Sequence, residues 1–339
     1  MRIFLKIVKS AFILVQFLIL SGWVWLYFES RPETAAENRA VLFDVEKGRG
    51  VRAIAEGLRA KAIIPKMWPF VLRYEFFYAP QGLKAGEYLL PQGGSAKDIL
   101  DILIKGRIHL HPVTIAEGLT AKEIAENFIA AGFGGTAEFQ TAFRETDDIA
   151  LWDPKADNLE GYLFPETYRL PKGLSPREIY QKMTGQFKEV FGDNWRRRAA
   201  ELRLTVRDIV VLASLIEKET SIPAEKKLVS AVFHNRLRLG MKLDCDPTII
   251  YALTQKGPFE GRLRTKDLKY DSPYNTYLHP GLPPGPISNP GRQSLEAALY
   301  PAEADYLYFV SRNDGSHQFS RTLAEHRSAV KKYQMPPGK

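Results

Sequence analysis

Residues Val210-Val-Leu-Ala-Ser-Leu-Ile-Glu217-Lys-Glu219-Thr220 read as a helix with almost no polar face. At roughly a hundred degrees per residue, Ile209, Leu212, Ala213 and Ile216 share one side, and Val210, Val211 and Leu215 fill most of the remainder. Such a helix must be enclosed, so the rest of the chain has to supply apolar surface around it. Thr205-x-x-Asp208 reads as the capping box that starts it. On the wheel Glu217 falls between Val210 and Ala213, inside the apolar sector. A carboxylate there is partly desolvated, which raises its pKa and suits a general acid working near neutral pH. The position equally suits an ion pair with Lys or Arg where the helix meets water, and spacing alone leaves both readings open.

The chain has 339 residues, 45% of them hydrophobic, enough for about two domains with a sizeable core. Arg2, Lys6 and Lys9 precede an uncharged run from Ser10 to Phe28 that holds Trp23, Trp25 and Tyr27. As a helix that run crosses a bilayer core of about 30 Å. Basic residues before it and Glu29 after it predict a cytoplasmic N-terminus and an exported remainder. A cleaved signal peptide would have a shorter apolar core ending at small residues. Thr34-Ala35-Ala36 lies nearby, but no A-x-A follows the run directly, which favours an uncleaved anchor. The expected order is a cytoplasmic tail at 1–9, a transmembrane helix at 10–28 and a polar tether at 29–40. Cys245 stands alone, so no internal disulfide framework exists. The net charge of +8 comes from basic residues interleaved with acids, which points away from nucleic acid and toward anionic lipid or an acidic polymer.

Beyond the tether, Val41–Val45 reads as a strand, a helix runs through Ile54, Ala55 and Leu58, a second helix covers Met67–Phe77, and Glu87–Leu90 is a second strand. Gly48-x-Gly50-x-x-Ala53 formally matches a dinucleotide-binding fingerprint, but no parallel β-α-β continuation or acidic ribose ligand follows. The region instead repeats itself. Gly48, Ile54, Ala55 and Glu56 recur as Gly118, Ile124, Ala125 and Glu126 after the strand Val113–Ile115. Tyr88, Leu90, Pro91, Gly93, Ser95 and Ile99 recur as Tyr168, Leu170, Pro171, Gly173, Ser175 and Ile179. The offset grows between the two sets, which implies extra residues in the second copy near Asp147–Asn158. Each copy reads as strand, helix, helix, strand and Ser-capped helix; common turn and core residues could also match by chance.

Past Phe187 the pattern is helical, with Trp195–Leu202, the opening helix and Ala224–Leu239. After Gly240 it breaks into Pro- and Gly-rich turns at Asp246-Pro-Thr248, Ser272–Tyr277, Gly281–Ile287 and Asn289-Pro-Gly291. Rigid loops bearing Tyr and Asn suit a carbohydrate cleft, and they equally suit surface connectors. Leu295–Leu299, Tyr306–Val310 and Thr322–Tyr333 read as helix, buried strand and closing helix. The fold class is α+β: an apolar N-terminal helix, an α+β module that is duplicated, and a mostly helical, loop-rich domain.

No H-E-x-x-H, C-x-x-C, G-x-S-x-G or complete P-loop is present, so zincin, thiol-redox, serine-esterase and NTPase chemistry lack their parts. His109 and His111 share a strand face without an apparent third ligand, so neither a metal nor a cofactor is expected. Carboxylate chemistry remains, with Glu217, Glu219, Asp244, Asp246 and Glu166 as candidates; ordinary glycoside hydrolysis would need two of them.

Leu159-Glu-Gly-Tyr-Leu-Phe-Pro-Glu-Thr-Tyr168, Ala213-Ser-Leu-Ile-Glu-Lys-Glu-Thr220, Val232-Phe-His-Asn-Arg-Leu237, Asp246-Pro-Thr248, Tyr274-Asn-Thr-Tyr277, Gly281–Ile287 and Tyr306–Val310 together resemble the endolytic murein transglycosylases, the YceG-like family. The resemblance runs from about Val41 to the C-terminus. It implies a single-pass inner-membrane enzyme with a LysM-like module at 41–107 and a catalytic region at 108–339. Within that region a second repeat copy would occupy 108–187 and the catalytic core 188–339. It implies cleavage of the MurNAc-β-1,4-GlcNAc bond within peptidoglycan glycan strands without water, leaving 1,6-anhydro ends. Glu217 matches the catalytic glutamate of the family's E-K-E-T motif. Asn235, Asp246, Thr248, Tyr274, Asn275 and Tyr277 would orient the sugars or Glu217, with Glu219 supporting. Association with peptidoglycan synthases is a further implication. A hydrolytic muramidase and a non-enzymatic glycan-binding scaffold are the alternatives.

Overall fold

A computed structural model describes residues 2–29, 39–257, 259 and 261–335. The first helix, α1 (Arg2–Glu29), contains Ile7–Val24, a window of mean hydropathy 1.9 with none of it buried. Among the described residues it is the one helix long and apolar enough to cross a membrane. Most of the expected tether lies outside the described residues. The chain divides into two compact units, 1–111 with 169–172, and 112–168 with 173–339.

In the first unit, β1 (Ala40–Val45), α2 (Val51–Ala60), α3 (Met67–Phe77), β2 (Gly86–Pro91) and α4 (Ala96–Lys105) follow in order. β1 and β2 are antiparallel, with Val41 opposite Leu90 and Phe43 opposite Tyr88. Alternation sends Phe43 and Val45 inward and leaves Asp44 exposed. Ile54, Ala55 and Leu58 on α2 close over that face, joined by Phe70, Ile99, Leu100 and Leu103. Ser95 caps α4 by accepting from the Asp98 N–H at 3.1 Å, and Gly106 ends it with φ of 67°. The buried carboxylate Glu87 accepts from His111 Nε2 at 2.6 Å and Lys172 Nζ at 3.2 Å. Burial alone would raise its pKa; the bonds from His111 and Lys172 outweigh burial and hold it below the ordinary carboxylate value.

Next come β3 (Leu110–Thr114), α5 (Ala121–Ala130), α6 (Thr136–Phe143), β4 (Thr167–Pro171) and α7 (Pro176–Glu201), so strand, helix, helix, strand and helix recur in the same order. β3 pairs with β4. The connection 144–166 is longer than its counterpart 78–85. Ser175 caps α7 as Ser95 caps α4, and α7 breaks at Gly192, whose φ is 53°. Then follow α8 (Val206–Glu219), α9 (Pro223–Arg238), α10 (Asp246–Thr254), α11 (Arg292–Leu299), β5 (Tyr308–Ser311), β6 (His317–Ser320) and α12 (Leu323–Gln334).

Every residue of α8 from Ile209 to Ile216 is buried, so the helix is enclosed all round by α9, α10, α11 and the loops between them. Thr205 and Asp208 form the expected capping box. Two readings of the sequence are corrected. Asp246-Pro-Thr248 opens helix α10 rather than a turn, because Pro247 sits in the first turn, where no N–H is required. The strand expected at 306–310 begins at Tyr308 and is half-buried; it pairs with β6, a four-residue strand too short and polar to announce itself.

Candidate active site

The enclosed helix α8 delivers Glu217 to its last turn with only 8% of its side chain exposed. Thr220 leaves the helical conformation, and Pro223 at the start of α9 lets the chain reverse at once. The returning helix buries Lys226, Val229, Ser230 and Phe233 on one stripe. Lys226 is 4% exposed; its Nζ donates to Glu217 Oε1 at 2.9 Å and to Ser294 Oγ, on α11, at 2.9 Å. A buried ammonium needs such partners, since isolated it would cost several kcal/mol, on the order of a lost ion pair. The other Glu217 oxygen accepts from the Gly291 N–H at 3.0 Å. The desolvation expected of Glu217 is therefore present together with a buried cation that the sequence reading allowed only at a wet helix end.

Glu117, in the loop after β3, completes the cluster, its Oε2 3.9 Å from the same Lys226 Nζ. It packs on Gly291 so tightly that a Cβ there would fall 2.0 Å from its carboxyl carbon, so position 291 accepts no side chain without displacing Glu117. Burial, then the charge of Glu217, push the pKa of Glu117 up, against the pull of Lys226.

Behind this cluster Asn289 joins three segments. Its Nδ2 donates to Leu119 O at 3.0 Å and Glu160 Oε1 at 2.8 Å, and its Oδ1 accepts from the Leu163 N–H at 2.9 Å. Its backbone carbonyl accepts from the Gly118 N–H. Glu160 also accepts from the Ala121 N–H at 3.0 Å. Burial drives its pKa up to about 8 despite the bonds from Ala121, Tyr251 and Asn289.

The remaining expected residues form other groups. Glu219 accepts from Cys245 Sγ at 2.9 Å; burial raises its pKa to about 7, and the nearby charge of Asp246 adds to the rise. Asp246 accepts from the Tyr277 hydroxyl at 2.7 Å. Thr248, wholly buried, donates to Cys245 O at 2.7 Å. Asn275, also wholly buried, donates to Leu268 O and Tyr270 O and receives the Tyr277 N–H, fixing the loop 268–277. Tyr274 packs on Tyr251 with ring centroids 5.1 Å apart. Asn235 donates to Ala304 O and Tyr306 O, holding the approach to β5. Asp244 accepts from Arg236. Glu217 is thus brought together with Lys226, Ser294 and Glu117, which carry no signal of a site in the sequence, and with Gly291, expected only as part of the Asn289-Pro-Gly turn. Lys226 was legible as a cation at the head of the apolar stripe of α9 that ends at Arg236; Glu117 and Gly291 lie in loops whose approach no periodicity encodes.

Residues 43–332 match the YceG-like family. The chain belongs to that family. It is 33% identical over 335 residues, 93% of this chain and 91% of the relative, to a protein of Bacillus subtilis (strain 168) named endolytic murein transglycosylase. A Streptococcus pneumoniae (serotype 2, strain D39) protein of the same name is 26% identical, across 90% of this chain and 60% of that protein. A 2.6 Å crystal structure of a putative YceG-like protein from Listeria monocytogenes aligns with a TM-score of 0.59 at 31% identity, covering 86% of this chain and all of that one. Within the matched stretch of the family fall Glu117, Glu217, Lys226 and Gly291.

Proposed function

We propose that the chain is a peptidoglycan lytic transglycosylase whose reaction is carried by Glu217. Its membership of the YceG-like family and its likeness to proteins named endolytic murein transglycosylase support the activity. The observation that supports Glu217 is its position: a carboxyl on the end of an enclosed helix, largely shielded from water, with a buried ammonium and a backbone N–H aimed at its two oxygens. In this reading the bond between MurNAc C1 and the oxygen of the next GlcNAc breaks within the strand. Glu217 gives its proton to the departing oxygen, the muramyl 6-hydroxyl attacks C1, and Glu217 takes the hydroxyl proton. The product ends in 1,6-anhydro-MurNAc, and no water or covalent enzyme intermediate is consumed. The Gly291 N–H and the Lys226 ammonium position the Glu217 carboxyl, each bonded to one of its oxygens. Asn235, Asp246, Thr248, Tyr274, Asn275 and Tyr277, each fixed by its own local contacts, are assigned to orienting the sugars or Glu217, with Glu219 in a supporting role.

The wider assignment follows from the same reading. α1 anchors the protein as a single-pass inner-membrane helix with a cytoplasmic N-terminus, so the remainder faces peptidoglycan in the periplasm. Residues 41–107 form a LysM-like glycan-binding module and 108–187 its second copy, supported by the recurring element order and the paired serine caps. Release or termination of nascent strands beside peptidoglycan synthases fits such an enzyme. Digestion of purified glycan strands in ¹⁸O-water, read by mass spectrometry, tests the chemistry. Anhydro ends without label are expected; reducing ends carrying ¹⁸O would make the protein a muramidase instead.

A further inference from the structure

A single acid/base residue meets a difficulty in this site. Both Glu217 oxygens already accept hydrogen bonds, one from Lys226 and one from the Gly291 N–H. That arrangement suits a carboxylate about to receive a proton, whereas the first step of the proposed reaction needs one to give. The same ammonium stands 3.9 Å from a second carboxyl, Glu117, pressed against Gly291 and 49% exposed where Glu217 is 8% exposed. Two carboxylates around one ammonium would leave an uncompensated negative charge in a partly dry site; one proton on either of them restores balance.

We propose that Glu117 is the proton partner of Glu217, the two sharing one proton across Lys226. This rests on the reading of Glu217 given above. At rest Glu117 holds the proton and Glu217 is the carboxylate paired with Lys226. For the acid step the O–H bond on Glu117 breaks as one forms on Glu217, and the Lys226 ammonium turns toward Glu117, now the carboxylate. Proton count and net charge are the same in both arrangements, so nothing is drawn from outside. Glu217 then gives the proton to the departing oxygen and recovers one from the 6-hydroxyl, which returns to Glu117 as the site resets. Ser294 Oγ holds Nζ at 2.9 Å on a third side, so the ammonium can pivot between carboxyls without losing every partner. The upward pKa shift of Glu117, from burial and then from Glu217, acts in the direction of keeping the resting proton there.

The neighbouring charged groups have contacts of their own. Lys218 Nζ donates to Gly118 O, Glu219 accepts from Cys245, Glu225 pairs with His317, Lys227 pairs with Glu296, and the Arg292 guanidinium lies over the Trp195 ring. On the α5 side Glu123 is occupied by the Thr120 cap. Lys226 is the ammonium that the two carboxyls hold in common. Glu117 acts through Glu217, which makes it a positioning residue rather than a catalytic one.

The test uses the full chain in detergent, with kcat and KM for purified glycan strands followed across pH. Glu117→Gln keeps the shape but has no proton to exchange and no charge to draw Lys226 across. It is expected to lower kcat at neutral pH about tenfold or more with KM little changed, and to move the alkaline limb of the profile to lower pH. Glu117→Asp, which keeps a titrating carboxyl, should recover part of the rate and most of the profile. An unchanged rate and profile in Glu117→Gln, or a lower rate with an unmoved profile at equal thermal stability, overturns the pairing. Glu217→Gln run alongside separates the two readings. If it is inert while Glu117→Gln matches the native protein, only the shared proton falls; if it is active, the assignment of Glu217 falls as well.

Discussion

Residues 40–105 and 110–201 follow the same order of strand, helix, helix, strand and helix, and they fill their interiors differently. The first encloses aliphatic and aromatic side chains, Ile54, Leu58, Phe70, Ile99 and Leu103 among them. Its buried carboxylate, Glu87, is matched at once by His111 and Lys172. The second has the longer connection 144–166, and that connection turns Asp153, Glu160 and Tyr162 inward. Asp153 receives the Tyr162 hydroxyl and the Arg207 guanidinium, while Glu160 reaches Asn289, two residues from the Gly291 N–H that holds Glu217. An apolar interior needs only complementary shape. The polar groups that the connection 144–166 adds to the aromatic core of the second specify which loops meet, and they lock the segments at 118–121, 160–163 and 287–291 behind the candidate site.

The largest expected departure between the two regions is in their response to pH. The folded-state pKa of Glu160, about 8, lies above its ordinary value of 4.5, so between those values the folded chain keeps a proton that the unfolded chain releases. Its stabilising contribution is complete below the ordinary value and is lost as pH rises through 8, by at most on the order of 4–5 kcal/mol. Glu160→Gln has no such proton. Calorimetry between pH 5 and 9 should show the native slope roughly halved below pH 7, where Glu219, whose pKa is about 7, still contributes, and the slope from Glu160 gone between 7 and 8. A variant with the native slope would show that Glu160 is not the buried acid described.

Next in size, Leu58→Ala in the apolar region should cost about 3 kcal/mol by leaving a cavity, with the pH slope unaltered. A changed slope would mean that the two interiors are not separate in kind. Smallest and most alike should be the serine caps. Ser95→Ala and Ser175→Ala each remove an acceptor for the N–H three residues on, and each should lower the denaturant midpoint by the equivalent of about 1 kcal/mol. A loss confined to one of them would break the likeness between the regions at its most local point.

What the sequence revealed follows from these differences. Regular periodicity and caps carried the helices: Met67–Phe77 was read with its observed bounds, and the enclosed helix α8 with its capping box stood out because apolar residues cover its whole circumference. Glu217 was legible as the odd polar residue in that sector. Its surroundings were not, because Lys226, Ser294, Gly291 and Glu117 come from four segments whose meeting depends on tertiary contacts. Asp246-Pro-Thr was misread for a local reason, since Pro is as much at home in a first helical turn as in a loop. Asn289 and Asn275 looked like polar loop residues suited to sugars; in the fold Asn275 spends its amide on its own loop, and Asn289 spends its on the backbone of neighbouring loops and on Glu160.

The central claim is that one carboxyl, on the end of an enclosed helix, moves the protons of strand cleavage. Glu217→Gln preserves the shape and the Gly291 bond and removes the proton transfer. Turnover of purified glycan strands, with thermal unfolding recorded on the same sample, should fall by roughly a thousandfold or more while the fold persists. Strand cleavage within about tenfold of the native rate by a folded Glu217→Gln protein would contradict the account.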